Sequence, residues 1–400
     1  MILLLKIICW ICLFGILHTY LFYPLIMWRL GSTKKRKFQE IQATDFEVSI
    51  LMAVYNEEMV LAEKLENLCQ LDFPATQLRI FVGSDASSDS TGAILKSYTE
   101  KLAGLRILEF AERRGKPSVL NDLVAAASAE RPIAANHIFL ITDANVFLAK
   151  DLLTKILRSF SDPEIALVDT RMVNTGADKE DISTSEAAYI SLEGQLKLWE
   201  GNAWKMMLGP FGGCYSLRST HYVQVPGHFL VDDFYIAMRV FENGGRSISD
   251  PDALCYEAVS HDIDEEFRRK ARISAGNFQN LALFGHFLQK PFSRIGFVFF
   301  SHKVLRWITP FLFLGIWVSS GILALKGNFW YSLLFLFESG MFILFPLLDR
   351  LLAAFRIHLL PLRHIRYFIR MNVALLRGFG RYMKGINKGA WEPTKRTKTS

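Results

Sequence analysis

His137-Ile-Phe-Leu-Ile-Thr-Asp143-Ala-Asn145-Val146 decides how the rest of the chain is read. A short apolar run, too brief for a helix and bounded by polar residues, reads as a buried parallel strand. It delivers a carboxylate and an amide at its carboxyl end, the edge at which open α/β sheets bind ligands. Taken alone, the same residues also describe an ordinary strand followed by an Asx turn.

Upstream, short apolar strands alternate with helical stretches, the pattern of βαβ units and a parallel sheet. Val48-Ser-Ile-Leu-Met-Ala-Val54 reads as the first strand, and Tyr55-Asn-Glu-Glu58 opens a helix running to about Leu71. Leu78-Arg-Ile-Phe-Val82 reads as the second strand and ends in Gly83-Ser-Asp85-Ala-Ser-Ser-Asp89-Ser-Thr91, a loop rich in helix N-cap residues. Such a loop places free backbone amides beside fixed carboxylates. Leu105-Arg-Ile-Leu108 is a third strand, and Arg113-Arg-Gly-Lys116-Pro leads into a helix from Ser118 to Ala129.

Downstream of the fourth strand the pattern is less regular. Glu186 to Leu208 reads as a helix, and Gly209-Pro-Phe-Gly212-Gly213-Cys-Tyr-Ser-Leu217 as a glycine-bearing turn where a ligand can approach the backbone. Val231-Asp232-Asp233-Phe-Tyr opens another helix, its two carboxylates favourably placed against the N-terminal dipole, which is equally the pattern of simple capping. Asp264 to about Leu288 reads as a helix on which Arg269 and Arg272 are close enough to share one anion; a solvated or lipid-facing basic patch is the alternative.

The chain has 400 residues, 51% hydrophobic and 21% charged, which is too apolar for a soluble enzyme and too charged for a wholly embedded one. The apolar excess lies in spans. Ile7 to Trp28 is long enough to cross a bilayer and is followed by Arg29 and Lys34-Lys-Arg-Lys37, which places its C-terminal end in the cytosol. A cleaved signal peptide would carry its basic cluster before the apolar run and a small-residue cleavage site after it. Val304 to Leu325 and about Phe329 to Leu348 are further spans, with Lys303, Arg306, Arg350 and Arg356 at their cytosolic ends. A net charge of +7, concentrated beside these spans, points to anionic headgroups, and no nucleic-acid motif is present. The five cysteines form neither a paired framework nor a metal-ligand spacing, as fits a reducing compartment.

Ala53-Val-Tyr-Asn-Glu57, Ser84-Asp85-Ala-Ser-Ser-Asp89-Ser-Thr91, Gly115-Lys116 with Asn121, Thr142-Asp143-Ala-Asn145, Gly212-Gly213, Val231-Asp232-Asp233 and Arg269-Lys-Ala-Arg272-Ile-Ser-Ala-Gly276-Asn occur in that order between about residues 47 and 310. This series resembles glycosyltransferase family two, inverting enzymes that include cellulose and hyaluronan synthases. The resemblance implies an α/β fold with a Rossmann-like, GT-A type mixed sheet flanked by helices, joined to transmembrane and interfacial helices. It implies transfer from a nucleotide-sugar donor, commonly a UDP-sugar, to a glycan or lipid-linked acceptor at the cytosolic face of the cell membrane. By position in the motifs, Ala53, Tyr55, Glu57 and Asp85 belong to the donor's base site. Lys116, Arg269 and Arg272 neutralise its diphosphate. Asp143, with Asn145, holds Mg²⁺ or Mn²⁺. Gly212 and Gly213 lie in the acceptor region, and Asp233, preceded by Asp232, is the general base.

Three positions depart from the family pattern. Asn145 stands where many members have a second Asp, Asp232 where Glu is common, and Ile273 where processive synthases have an acceptor-platform Trp. Ile273, together with only three spans, favours transfer of one or a few sugars over a processive polysaccharide synthase. A non-catalytic nucleotide-sugar-binding protein, a nucleotidyltransferase and a transporter are the other classes considered. The expected organisation is a transmembrane anchor over 1–30, a basic linker over 31–46 and a cytosolic transferase domain over 47–288. An interfacial helix over 289–303, two transmembrane helices over 304–349, an amphipathic basic segment over 350–390 and a tail over 391–400 complete it.

Overall fold

In the computed structural model the described residues are 1–34, 36, 38, 41–102, 104–175, 183–258, 263–355 and 359–386. Lys35, Lys37, Arg356 and the tail from Trp391 lie outside them. The described residues form two compact units, one built from residues 30–175 and 192–258 and the other from 1–29, 183–191 and 263–384.

The first unit holds a mixed eight-stranded sheet. In chain order its strands are β1 (Glu47–Val54), β2 (Leu78–Asp85), β3 (Leu105–Phe110), β4 (His137–Thr142), β5 (Val146–Leu148), β6 (Ile165–Thr175), β7 (Cys214–Arg218) and β8 (Arg246–Ala258). Across the sheet they run β3-β2-β1-β4-β7-β6-β8-β5. The β3-β2-β1-β4 half is parallel, as its βαβ pattern requires, with crossovers through the helices Leu61–Cys69, Thr91–Ser97 and Lys116–Glu130. All six residues of β4 are buried, which is why the strand reads as an unbroken apolar run.

The other half departs from the all-parallel sheet. β7 enters antiparallel between β4 and β6, and β5 pairs antiparallel with β8, while β6 and β8 are parallel. The chain builds β1, β2 and β3 outward and then places β4 on the other side of β1. The direction of growth reverses between β1 and β4, so their carboxyl ends flank the crevice where such sheets bind ligands.

Part of the basic linker lies on this unit. The Lys34 ammonium donates to the Ala203 carbonyl at 3.3 Å, and Arg36 packs beside Gly201. Burial pulls the Arg36 guanidinium down to about 10, opposed by Asp250 and Asp162. These two cations therefore engage the protein's own surface.

Within the second unit, three helices among the described residues are long and apolar enough to cross a membrane: Ile2–Gly31, Arg294–Leu325 and Phe329–Leu352. The segment expected as a separate interfacial helix is continuous with the second of these from Arg294, its first turn capped by Ser293. Gly15 faces Leu312 and Gly315 faces Cys12, so small residues let the first two helices approach closely. The helix Leu360–Met383 packs along the helix Ile263–Phe284, where the Ser274 hydroxyl donates to the Leu375 carbonyl at 2.9 Å. Two of its arginines are engaged inside the unit, Arg370 with Asp264 and Arg366 with Asp349 at 2.9 Å.

Candidate active site

The loops after β1 and β2 are tied together by reciprocal side-chain-to-backbone bonds. Asn56 donates its amide to Ser87 Oγ at 3.2 Å and accepts from the Ser88 amide at 2.8 Å. The Glu57 amide donates to Thr91 Oγ1 at 2.9 Å, and the Glu58 amide to Asp89 Oδ2 at 3.1 Å. This holds Ala53 and Tyr55, at and just past the end of β1, beside the β2 loop; Ala53 pairs with Gly83 in the ladder. The Arg113 guanidinium stacks 3.6 Å over the Tyr55 ring.

Asp85, at the end of β2, is wholly buried, and both its oxygens accept from backbone amides, Oδ1 from Arg114 at 2.7 Å and Oδ2 from Gly115 at 2.9 Å. Its carboxylate thus fixes the loop that carries Lys116. Gly115 sits at φ 87°, a conformation open to glycine at little cost. From there Lys116 reaches across β1 to Asp143, its Nζ 2.7 Å from Oδ1.

Asp143 begins the turn between β4 and β5, and its amide donates to the Gly213 carbonyl at 2.9 Å. Its neighbour Asn145 donates through Nδ2 to Glu257 Oε1 at 2.8 Å, leaving Oδ1 as the atom it can offer a ligand. Gly212 and Gly213 thread between two carboxylates. A Cβ at Gly212 would lie 2.6 Å from Asp233 Oδ2, and one at Gly213 would lie 2.9 Å from Val146 and 4.0 Å from Asp143 Oδ2. Only residues without side chains let this turn hold Asp143 on one side and Asp233 on the other.

Asp232 and Asp233 open the helix Asp232–Glu242, where Asp233 Oδ1 accepts from the Phe234 amide at 2.8 Å. Burial and the adjacent Asp232 push the Asp233 carboxyl up to about 6, against the pull of Lys116. Burial opposes the charge on Lys116, but Asp143, Asp232 and Asp233 outweigh it and hold the ammonium above its ordinary range. The site therefore contains one carboxylate bound to a cation and one poised to accept a proton near neutral pH.

Ala53, Tyr55, Glu57, Asp85, Lys116, Asp143, Asn145, Gly212, Gly213, Asp232 and Asp233 all belong to the first unit, at the carboxyl edge of β1, β2 and β4 or in the loops facing it. Arg269 and Arg272 lie on the helix Ile263–Phe284 of the second unit, where Arg269 is 3.5 Å from Glu266.

Several residues at the site carry no motif. Lys64 is wholly buried and donates to Thr142 Oγ1 at 3.1 Å and to the Val146 carbonyl; burial pulls its pKa down to about 8. Asp169 accepts from the Phe211 amide at 2.9 Å and from Lys197 at 3.1 Å in a buried ion pair that sets the entry to the glycine turn. The Tyr215 hydroxyl and Asp232 Oδ2 are buried without a hydrogen-bond partner among the described residues. The available signal is a charge on an apolar stripe, since Lys64 shares the buried face of its helix with Leu61, Leu65 and Leu68.

The oxygen donors present suit a hard divalent cation. Asp143 already takes a positive charge at Oδ1, yet among the described residues no three His, Cys, Asp or Glu side chains gather as a metal cage. One carboxylate completed by substrate phosphates and water is the usual Mg²⁺ arrangement.

The family model for glycosyl transferase family 2 matches residues 49–218, and that for glycosyl transferase family group 2 matches residues 138–357, more than half of the chain. A beta-monoglucosyldiacylglycerol synthase from Nostoc sp. is 29% identical over 163 residues, covering 40% of this chain and 33% of that protein. The matched stretch thus spans about a third of that relative's length. A poly-beta-1,6-N-acetyl-D-glucosamine synthase from Staphylococcus epidermidis is 23% identical over 287 residues, covering 66% of each chain. Among solved structures, the mannosyltransferase PcManGT from Pyrobaculum calidifontis, in complex with GDP-Man and Mn²⁺, aligns with a TM-score of 0.65 at 20% identity, covering 94% of this chain and 99% of that one. That likeness concerns the fold, a GT-A type sheet with flanking helices. The matched family models, falling on the strands and loops that gather Asp85, Asp143 and Asp233, identify the chain as a glycosyltransferase belonging to glycosyl transferase family 2.

Proposed function

We propose that this chain transfers a sugar from a nucleoside diphosphate-sugar to an acceptor hydroxyl with inversion at the anomeric carbon. The observation that carries this reading is the Gly212-Gly213 turn, which sets Asp143 with its bound Lys116 on one side and Asp233 on the other. Charge neutralisation for a departing diphosphate and a base for an attacking hydroxyl thereby face one backbone turn. Asp233, with its raised affinity for protons, takes the acceptor's proton as the hydroxyl attacks. Lys116 stands ready to exchange Asp143 for a phosphate oxygen. Tyr55, Glu57, Asp85 and Ala53 belong to the base site, Asp85 acting through the loop it fixes. Asp143 and the Asn145 oxygen would hold Mg²⁺ or Mn²⁺, which when bound neutralises the leaving diphosphate as a Lewis acid.

The acceptor is a glycan or lipid-linked molecule at the cytosolic membrane face, and the donor a UDP-sugar in the first instance. The three long apolar helices support the membrane, and relatives named as a glucosyldiacylglycerol synthase and a polysaccharide synthase support the acceptor classes. Purified protein in lipid nanodiscs, given a panel of nucleotide sugars with Mn²⁺, should turn over at least one. Asp233→Asn should lower kcat by about three orders of magnitude with donor binding within a few-fold of wild type, the middle of the range that a general base contributes. Wild-type turnover by a folded Asp233→Asn protein refutes the assignment.

A further inference from the structure

The helix Leu61–Cys69 grips the turn that carries Asp143 through polar groups. Lys64, wholly buried on its second turn, donates to Thr142 Oγ1 at 3.1 Å and to the Val146 carbonyl, the two residues that bracket Asp143-Ala144-Asn145. One turn further along the same face, Asn67 imitates a neighbouring strand. Its Nδ2 donates to the Leu148 carbonyl at 2.9 Å, and its Oδ1 accepts from the Leu148 amide at 2.8 Å. The segment is bound again at Asp72, whose amide donates to the Lys150 carbonyl at 2.8 Å.

A buried ammonium is an expensive way to join a helix to a sheet, because an apolar side chain of similar length fills the same space without desolvating a charge. Its position is specific: both acceptors belong to the ends of one turn, and the charge lies close enough to Asp143 for the two to attract. Asp143 thus has one lysine on its own oxygen and a second bonded to its backbone turn.

We propose that Lys64 is a positioning residue of the transfer reaction, holding the turn from Thr142 to Val146 in the conformation that presents Asp143 and Asn145 to a divalent cation. This rests on the metal role proposed for Asp143. Groups that orient metal ligands from behind typically change metal affinity by about 10- to 100-fold when removed.

The test is Mn²⁺ binding to the full-length protein in nanodiscs, read by loss of the free-ion electron paramagnetic resonance signal, for wild type, Lys64→Met and Thr142→Val. Lys64→Met keeps the length of the side chain and removes both donations; Thr142→Val removes one acceptor with little change of shape. Expected are Mn²⁺ affinity at least about 10-fold weaker in Lys64→Met and a smaller loss in Thr142→Val. The unfolding temperatures without metal should stay near wild type, and turnover by Lys64→Met should be partly restored by excess Mn²⁺. If Lys64→Met fails to fold, Thr142→Val still decides: affinity within twofold of wild type overturns the proposal. Wild-type Mn²⁺ affinity in both folded variants overturns it alone. A wild-type protein that binds no Mn²⁺ removes the metal role of Asp143 and this inference together.

Discussion

Asp233 is surrounded by charge of both signs, and the balance sets its chemistry. Burial and Asp232 raise its pKa to about 6, while Lys116 limits the rise. A base must be deprotonated to act, so kcat/KM should rise with pH through about 6 and level off above it. A pH–rate profile checks this. The expected rising limb disappears along with turnover in Asp233→Asn, and a profile flat from pH 5 to 8 would contradict the assignment. Asp143 plays the opposite part, spending its charge on Lys116 at 2.7 Å. Asn145 is the informative departure: where a second Asp is common, an amide donates to Glu257, so a neighbouring strand supplies a carboxylate beside the turn.

Among the elements, the turn through Gly212 and Gly213 governs how closely the two carboxylates can stand. Gly212→Ala would drive a methyl to about 2.6 Å from Asp233 Oδ2, and the carboxylate has to move. We expect a fall in kcat of about 10-fold or more, the scale of a displacement near 1 Å at a reacting group, with donor affinity little changed. Steady-state kinetics with whichever nucleotide sugar of the panel is turned over measures both. The turn is braced by Asp169 and Lys197, and the far end of β7 by Arg218, which donates to the carbonyls of Ile165, Ala135, Phe160 and Asp162. These buried charges satisfy backbone groups where β7 runs against the parallel half of the sheet.

At the scale of the whole molecule, the three membrane-length helices and the sheet domain belong to one chain whose relatives include enzymes named for a glycolipid and for a polymer. Ile273 offers a sugar ring no aromatic face, and the three membrane-length helices among the described residues are few with which to enclose a polymer channel. Products made from a labelled donor should therefore carry one or a few sugars. Long chains on sizing would establish a processive synthase instead.

The βαβ half of the sheet and the order of the site motifs were legible in the residues, because a parallel strand buried on both faces must be apolar throughout and must end where polar side chains begin. The three long apolar helices were legible for a related reason, since their length and apolarity are written in the residues themselves. The antiparallel entry of β7, the return of Lys34 and Arg36 to the transferase unit and the packing of Leu360–Met383 on Ile263–Phe284 were not. Each depends on which distant surface a segment meets, and local periodicity does not encode that. Lys64 belongs with them: its letter breaks an apolar stripe, but only the fold supplies Thr142 and Val146 as its acceptors. The residues alone placed carboxylates and a lysine at strand ends, and the class of chemistry was legible only in the resemblance that the ordered series of motifs bears to a family of transferases. The tertiary structure decided which carboxylate is neutralised and which is free to take a proton, because that depends on distances between strands far apart in the chain.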